Sequence, residues 1–213
     1  ANIFCTDREK SEMDNKIGMR TGVPDIWFMR EAWSDETLSV TLPGIDFNVA
    51  FPAPDPAMSL VATLGDRVVG QCAAQTAAKY WQHVGSLGEC GPNASTRAVG
   101  KIHTQVVAAE MRFLSDRGEV SENTMRSAGI AVVPAFRGQG IGKAMRARQI
   151  EIARDNDMTG LFSETTNQYA AGTITPFAPE LVAEFPYKDL ARELNEPRLA
   201  DINDSFRVWY KKV

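Results

Sequence analysis

The stretch of this sequence that most limits its possible folds is residues 132–142, which read Val-Val-Pro-Ala-Phe-Arg-Gly-Gln-Gly-Ile-Gly. An apolar run ends at Pro134, a short glycine-rich loop follows, and a helical pattern of apolar residues begins at Ile141. A strand, a glycine loop and a helix in this order direct backbone N–H groups and the positive end of a helix dipole towards an anion. Glycine suits such a loop because a Cβ atom would obstruct phosphate oxygens and disfavour positive φ. The sequence therefore predicts a site for a phosphorylated cofactor, although a tight strand-to-helix turn without a ligand would show the same pattern.

The glycine spacing excludes two common phosphate-binding loops. A dinucleotide-binding loop needs G-x-G-x-x-G/A, and the last position of that motif holds Lys143 or Met145 here, depending on the register. A P-loop needs G-x-x-x-x-G-K-S/T, but Arg137 stands at its first glycine and Ala144 at its Ser/Thr position. The motif that does fit is Arg-x-x-Gly-x-Gly, residues 137–142.

This motif, placed directly after an apolar strand and before an amphipathic helix, resembles the pyrophosphate-binding signature of the GCN5-related N-acetyltransferases, the GNAT superfamily. A finer resemblance is to the arylalkylamine and dopamine N-acetyltransferase-like branch, and it rests on residues 33–38, 101–114, 184–189 and 207–212. The resemblance covers most of residues 26–211. It implies a mixed α/β (α+β) fold with a mostly antiparallel central sheet flanked by helices. It also implies a single domain over residues 1–213, with residues 1–20 as a loose tail or an edge strand.

Periodicity and turn residues predict the individual elements. The predicted helices cover residues 26–33, 101–114 and 140–156, with a further helical turn at 167–171. A hairpin is predicted over residues 60–72, with its second strand reaching as far as Ala78, and a turn-rich connection over 85–97. The other predicted strands are 126–133, 160–166, 182–190 and 206–211.

The resemblance implies acetyl-coenzyme A as the co-substrate. Its pantetheine arm would pair with the strand before the motif, where an N–H near Ala131 or Val132 would polarise the thioester carbonyl. Its pyrophosphate would lie on the N–H groups of residues 137–142, helped by the side chains of Arg137 and Lys143. The residues predicted to bind the cofactor are Ile130, Ala131, Val132, Val133, Arg137, Gly138, Gln139, Gly140, Ile141, Gly142, Lys143 and Asn167.

Acetyl transfer to an alkylamine needs a general base, because the amine is protonated at neutral pH. Glu36 is the first candidate, since Asp35-Glu36-Thr37-Leu38 resembles the Asp-Glu-Pro-Leu of the branch; equally, Asp35 and Glu36 could cap a helix or face solvent. Glu164 is the second candidate, and the common alternative for a strand carboxylate is to face outwards. His103 and Glu110 lie seven residues apart on one predicted helix, so they share a face that is typically solvated and occasionally a proton path.

The resemblance breaks down at the usual general acid. Many superfamily members have a tyrosine four residues after an Asn-x-x-Ala segment, here residues 167–170, and it protonates the departing thiolate. This chain has Ile174 at that position. Tyr169, a neighbouring hydroxyl or water would have to supply the proton.

Aromatic residues offer a candidate pocket for the acceptor. Trp27, Phe28, Met29 and Trp33 could line it, with Tyr80 and Trp81 as its other wall, although aromatic residues at helical spacing are more often core.

Charge and composition narrow the partners. A net charge of −4 over 213 residues argues against a nucleic-acid surface and leaves room for a cationic substrate. No apolar run reaches membrane-span length, and the polar N-terminus lacks the apolar segment of a signal peptide. Cys5, Cys72 and Cys90 are widely spaced and fit reduced thiols, which predicts a cytoplasmic protein, and two histidines are too few for a zinc site, so no metal is predicted.

The sequence therefore predicts an acetyl-CoA-dependent N-acetyltransferase that acts on a primary amine of a small molecule, by direct attack with general-base assistance. No nucleic acid or membrane partner is expected, and the chain is predicted to be a monomer or a homodimer. Two alternatives stay open: a non-catalytic CoA-binding regulatory module, because the tyrosine is missing, and a protein or peptide N-acetyltransferase, which would need an open groove.

Overall fold

A computed structural model describes residues 17–22, 37–45, 53–87 and 91–213 of the chain. Within this part, seven strands form one sheet in the order β1-β2-β3-β4-β5-β7-β6, and only the β4–β5 pair is parallel. The strands are β1 (Ile17–Thr21), β2 (Leu60–Leu64), β3 (Arg67–Thr76), β4 (Thr124–Val132), β5 (Gly160–Thr165), β6 (Glu180–Pro186) and β7 (Ser205–Lys212). This mixed, mostly antiparallel sheet confirms the predicted fold class.

Helices cover the sheet, and two large apolar clusters lie against it. The helices are α1 (Thr37–Thr41), α2 (Ala77–Leu87), α3 (Ala94–Ser115), α4 (Ile141–Asp155), α5 (Gln168–Ala171) and α6 (Tyr187–Glu193). In one cluster, Ile102 and Val106 of α3 pack with Phe206 of β7. In the other, Met145 of α4 packs with Leu161 of β5.

The N-terminal half of the sheet is a meander. β1 pairs with β2 at the edge of the sheet, so the edge-strand alternative is correct for residues 17–20, whereas residues 1–16 lie outside the described part. The β2–β3 hairpin is confirmed, and Gly65 supplies the positive φ of +59° that its turn requires. The predicted helix over residues 26–33 also lies outside the described part.

The predicted connection over residues 85–97 was too long, because α2 runs to Leu87 and α3 begins at Ala94. β3 ends at Thr76 rather than Ala78, and α2 begins at the next residue with no intervening turn. α3 begins at Ala94 because the side chain of Asn93 caps it, accepting the N–H of Thr96 at 2.9 Å.

The predicted strand over residues 182–190 was also wrong in its second half. β6 ends at Pro186, and α6 follows from Tyr187. Tyr187, Leu190 and Ala191 are buried, which is a helical spacing.

The parallel pair of strands opens in the middle of the sheet. β4 pairs with β5 only at residues 124–126, opposite residues 160–162. Beyond these positions β4 continues against β3 as far as Val132, while β5 continues against β7 to Thr165. The two strands therefore separate, and a cleft lies between them.

Candidate functional site

The cleft between β4 and β5 is a cavity of about 960 Å³. This volume is within the range of about 300–1,000 Å³ that is typical of small-molecule sites. Residues of the glycine loop line one part of it, and Glu164, Thr165 and Thr166 from the end of β5 line another. The opening of the sheet thus brings the predicted anion site and a predicted catalytic residue to the same space.

The glycine loop has the backbone that the sequence predicts. Gly138 and Gly140 have φ values of +76° and +81°, and a Cβ atom added to either would meet no protein atom within 4 Å. The space beside both glycines is therefore open to a ligand. The Ala144 N–H bonds to the Gly140 carbonyl at 2.9 Å, so the preceding N–H groups in the first turn of α4 are free of the helical ladder.

β4 carries a bulge at the level of the cleft. Its register against β3 shifts between Cys72 and Ala74, and Gly129, at φ +128°, lies opposite this shift. Such a φ favours glycine. The sequence reasoning missed this feature, although a single glycine inside an apolar strand is its usual signal.

Ten of the twelve residues predicted to bind a cofactor line the cleft, and Val133 and Gln139 do not. The N–H of Val133 bonds to the carbonyl of Val69 at 3.0 Å, which ties this residue to β3. Arg137 reaches back to β4, where its Nε donates to the Val132 carbonyl at 2.9 Å. Asn167 lines the cleft, and its side chain caps α5 by accepting the N–H of Ala170 at 2.8 Å.

A buried polar cluster lies against one side of the cleft, and two of its members, His103 and Glu164, line it. Arg126 of β4, whose side chain is fully buried, donates from Nη2 to Oε2 of Glu164 at 2.5 Å and from Nε to Oε1 of Glu110 at 3.2 Å. Trp81 donates from Nε1 to the other oxygen of Glu110 at 2.7 Å. His103 of α3 places Nε2 4.0 Å from Oε1 of Glu164, and both residues line the cleft.

The electrostatics of this cluster favour an ionised Glu164. Burial alone would raise the pKa of Glu164, but Arg126 and His103 hold that pKa below its ordinary value. Burial lowers the pKa of His103 from 6.5 to about 4, so its ring is neutral at pH 7. Burial would likewise lower the pKa of Arg126, but Glu110 and Glu164 raise it. The wall therefore presents a carboxylate that is oriented by a permanent cation.

Three expectations about these side chains were wrong. His103 and Glu110 do not form a solvated face, because both are buried, at 1% and 0% exposure, and the apolar stripe of α3 includes them. Glu164 does not face outwards, because its ion pair with Arg126 compensates its burial. Among the described residues, Tyr80 and Trp81 are not part of the cleft wall; they belong to α2 behind the cluster.

Arg126 itself was missed. Its only signal in the sequence is a charged side chain at the start of the predicted strand 126–133.

The other catalytic candidates have different surroundings. Tyr169 lies on α5 at the rim of the cleft and is 82% exposed. Ile174, at the position of the usual tyrosine, is fully buried. Glu36 and the residues Trp27, Phe28, Met29 and Trp33 lie outside the described part of the chain.

The described residues contain no group of His, Cys, Asp or Glu side chains placed to hold a metal ion. No helix among those described is both long and apolar enough to cross a membrane.

Comparison with solved structures shows the same fold in several enzymes. An agmatine N-acetyltransferase mutant in its apo form is 15% identical, with a TM-score of 0.75, over 92% of this chain and 100% of that one. The mosquito arylalkylamine N-acetyltransferase like 5b is 13% identical with a TM-score of 0.70 over the same shares. The Drosophila melanogaster polyamine N-acetyltransferase is 14% identical with a TM-score of 0.64, again over 92% and 100%.

At these identities the likeness demonstrates the fold. A sequence comparison with curated proteins gives no match. The family described as "Acetyltransferase (GNAT) family" matches residues 25–174, which is more than half of the sequence. The chain therefore belongs to the GNAT family of acetyltransferases.

Proposed function

We propose that this protein transfers the acetyl group of acetyl-coenzyme A to a primary amine of a small molecule, with Glu164 as the general base. One observation carries the proposal: the Glu164 carboxylate lines the same cleft as the glycine loop. A reaction of this kind needs an anion site for the donor and a base for the acceptor in one space.

The residues of the cleft fit the donor. The free N–H groups at the start of α4 and the open faces of Gly138 and Gly140 suit a pyrophosphate, and Lys143 lines the same part of the cleft. Among the described residues, no strand pairs with the side of β4 that turns away from β3 after Arg126, so backbone groups near Ala131 and Val132 could bind an extended arm. Acetyl-coenzyme A would supply the acetyl group as a thioester.

Glu164 suits the acceptor. An ionised carboxylate binds an alkylammonium group and can accept its proton. Because the pKa of Glu164 is below its ordinary value, the carboxylate is a weak base. An ammonium nitrogen has no lone pair, so the amine attacks the thioester carbon in its neutral form. We assign to Glu164 the acceptance of the proton that the nitrogen loses as the C–N bond forms; the C–S bond then breaks and coenzyme A leaves as the thiolate.

The other predicted catalytic residues stay candidates with separate roles. Glu36 is a second possible base, and substitution by Gln at positions 36 and 164 separates the two. Tyr169 is the candidate acid for the leaving group, and its exposed position would require the bound donor to cover it.

The acceptor we propose is a small amine. The structures with the same fold include enzymes named for agmatine, polyamines and arylalkylamines. We propose the cytoplasm as the compartment, where the buried thiol of Cys72 would stay reduced.

The test is thiol release from acetyl-CoA in the presence of agmatine, a polyamine or an arylalkylamine. We expect at least one amine to stimulate release, and Glu164→Gln to lower kcat about 10²-fold with CoA binding retained. An unchanged kcat in Glu164→Gln would remove this residue as the base, and a parallel loss in Glu36→Gln would transfer the role. CoA binding without stimulation by any amine would favour a non-catalytic module, and acetylation of peptides alone would favour a protein substrate.

A further inference from the structure

We infer that Tyr80 and His103 are a positioning pair that holds Glu164 in its reactive state, with His103 in the cleft wall and Tyr80 behind it. This inference rests on the proposed role of Glu164 as the base. It adds two residues of different helices, α2 and α3, to the machinery of the site. Tyr80 reaches Glu164 by two routes, one through His103 and one through Arg126.

The first route is a hydrogen bond to the imidazole. The Tyr80 hydroxyl lies 2.5 Å from Nδ1 of His103. The opposite ring nitrogen, Nε2, lies 4.0 Å from Oε1 of Glu164. Tyr80 and His103 are 0% and 1% exposed, so water does not compete for the hydroxyl–imidazole contact.

The chemistry of the two groups selects one tautomer of His103. Burial raises the pKa of Tyr80 well above its ordinary value, so the hydroxyl keeps its proton and needs an acceptor. The neutral ring of His103 carries one proton, and Nδ1 can accept from Tyr80 only if that proton is on Nε2. The Nε2–H then faces Glu164. At 4.0 Å the Nε2–H dipole favours the ionised carboxylate without a direct hydrogen bond.

The second route is a contact with the cation. The Cζ atom of Arg126 lies 3.4 Å from the centroid of the Tyr80 ring, which is a cation–π contact. Arg126 in turn donates to Oε2 of Glu164 at 2.5 Å. Tyr80 thus touches both groups that flank the Glu164 carboxylate. The substitution Tyr80→Phe removes the first route and keeps the second.

Other charged groups near the pair stay in place in that variant. Arg146 of α4 acts electrostatically on Glu164, and His83 of α2 acts on His103. Glu110 of α3 acts on Tyr80 and is bonded to Arg126. A change in the titration of Glu164 in Tyr80→Phe would therefore report the lost hydroxyl.

The tautomer can be measured without any enzymatic activity. The chain has only two histidines, so ¹⁵N NMR of the imidazole nitrogens gives few signals to assign. We expect His103 in the Nε2–H form from pH 7 down to about pH 5, and a mixture of both forms in Tyr80→Phe. A wild-type ring in the Nδ1–H form, or a tautomer that is identical in both proteins, would overturn the inference whatever the enzyme's substrate.

The pH profile of kcat/KM measures the consequence for Glu164. We expect the acidic limb to move up by about half a pH unit in Tyr80→Phe, because the carboxylate loses a favourable dipole. Tyr210→Phe is the matched control, since the Tyr210 hydroxyl bonds to Glu119, a contact remote from the cleft. An acidic limb that stays in place in Tyr80→Phe, while Glu164→Gln still lowers kcat about 10²-fold, would refute the pair and leave the proposed function standing.

Rescue at position 103 separates positioning from packing. The amide of His103→Gln can place an N–H near the position of Nε2, whereas the shorter His103→Asn can replace only Nδ1. We expect His103→Gln to keep the acidic limb closer to that of the wild type than His103→Asn does. The reverse order, at equal stability of the two variants, would contradict the assignment of the ring proton to Nε2, the nitrogen that faces Glu164.

Discussion

At the scale of single residues, Arg126 joins two carboxylates that the chain brings from different elements. Glu110 comes from α3 and Glu164 from β5, and the guanidinium between them is fully buried. A buried carboxylate is costly without a partner, and both carboxylates depend on this one cation. Arg126 therefore stabilises the fold and also orients Glu164 at the cleft.

Replacing Arg126 tests its contribution to the stability of the fold. We expect Arg126→Met to lower the free energy of unfolding by about 3–5 kcal/mol, because two buried carboxylates lose their counter-charge. Arg148→Met removes a guanidinium that is paired with Glu151 and Asp155 on the exposed face of α4, and it should cost less than about 1 kcal/mol. Denaturant titration of both variants at pH 7 measures the difference. Equal losses would show that Glu110 and Glu164 do not need Arg126 for their stability.

The sequence predicted Glu164 as a candidate but not its surroundings. Helical periodicity places His103 and Glu110 on one face, and charge then favours solvent for that face. The compensating groups, Arg126 and Tyr80, lie on β4 and α2, and only the tertiary fold brings them there. Residue types without distances could not distinguish a solvated face from a buried network.

At the scale of elements, the glycine loop was predictable because each of its requirements is local. Neighbouring residues in the sequence indicate each of them: the end of a strand, a positive φ and the start of a helix. The start of α2 was harder to predict, because β3 passes into it at Ala77 without a glycine or a proline. Thr76, whose hydroxyl accepts the N–H of Lys79 at 3.4 Å, is a residue type that is as typical of strands as of helix caps. α6 did have a signal, since Pro186 interrupts the apparent alternation of residues 182–190.

The loop gives a clean comparison of two glycines. Gly140, in the loop, and Gly65, in the β2–β3 turn, both have positive φ, and an added Cβ would meet no protein atom within 4 Å at either position. Substitution by Ala should therefore cost about 1 kcal/mol of stability at both positions. Only Gly140→Ala should also raise the Kd for coenzyme A, by about 10-fold or more, because its Cβ points into space that the ligand needs.

Calorimetry with coenzyme A measures both variants. An equal Kd in Gly140→Ala and Gly65→Ala would place the pyrophosphate elsewhere.

At the scale of the whole molecule, α3 and α4 cover the sheet with separate apolar clusters, and the polar cluster of the cleft is buried in the same body. Its titration is therefore coupled to folding. A histidine whose pKa is lower in the folded state takes up its proton only in the unfolded chain over the intervening pH range. The contribution of the neutral His103 ring to the free energy of unfolding is therefore fully present above about pH 6.5, and it is lost as the pH falls towards 4.

This coupling predicts a pH dependence of unfolding. As the pH falls from 6.5 to 4, the titration of His103 should lower the free energy of unfolding by about 3 kcal/mol, at about 1.4 kcal/mol per pH unit. Denaturant titrations across this range, in the wild type and in His103→Gln, isolate the contribution as the difference between the two slopes. Identical slopes would show that the ring of His103 is protonated as easily in the folded protein as in the unfolded chain.

The short pairing of β4 with β5 has a mechanical consequence. Three residue pairs join these strands, whereas every other neighbouring pair in the described sheet shares five or six. The described sheet therefore consists of two parts that are joined by few main-chain hydrogen bonds, and no described strand pairs with the edge of β4 that faces the cleft beyond Arg126. A molecule that fills this opening would connect the two parts of the sheet as an extra strand does. At a concentration of 100 times its Kd, it would add about 2.7 kcal/mol to the free energy of unfolding. Ligand binding in the cleft and the stability of the sheet are therefore coupled.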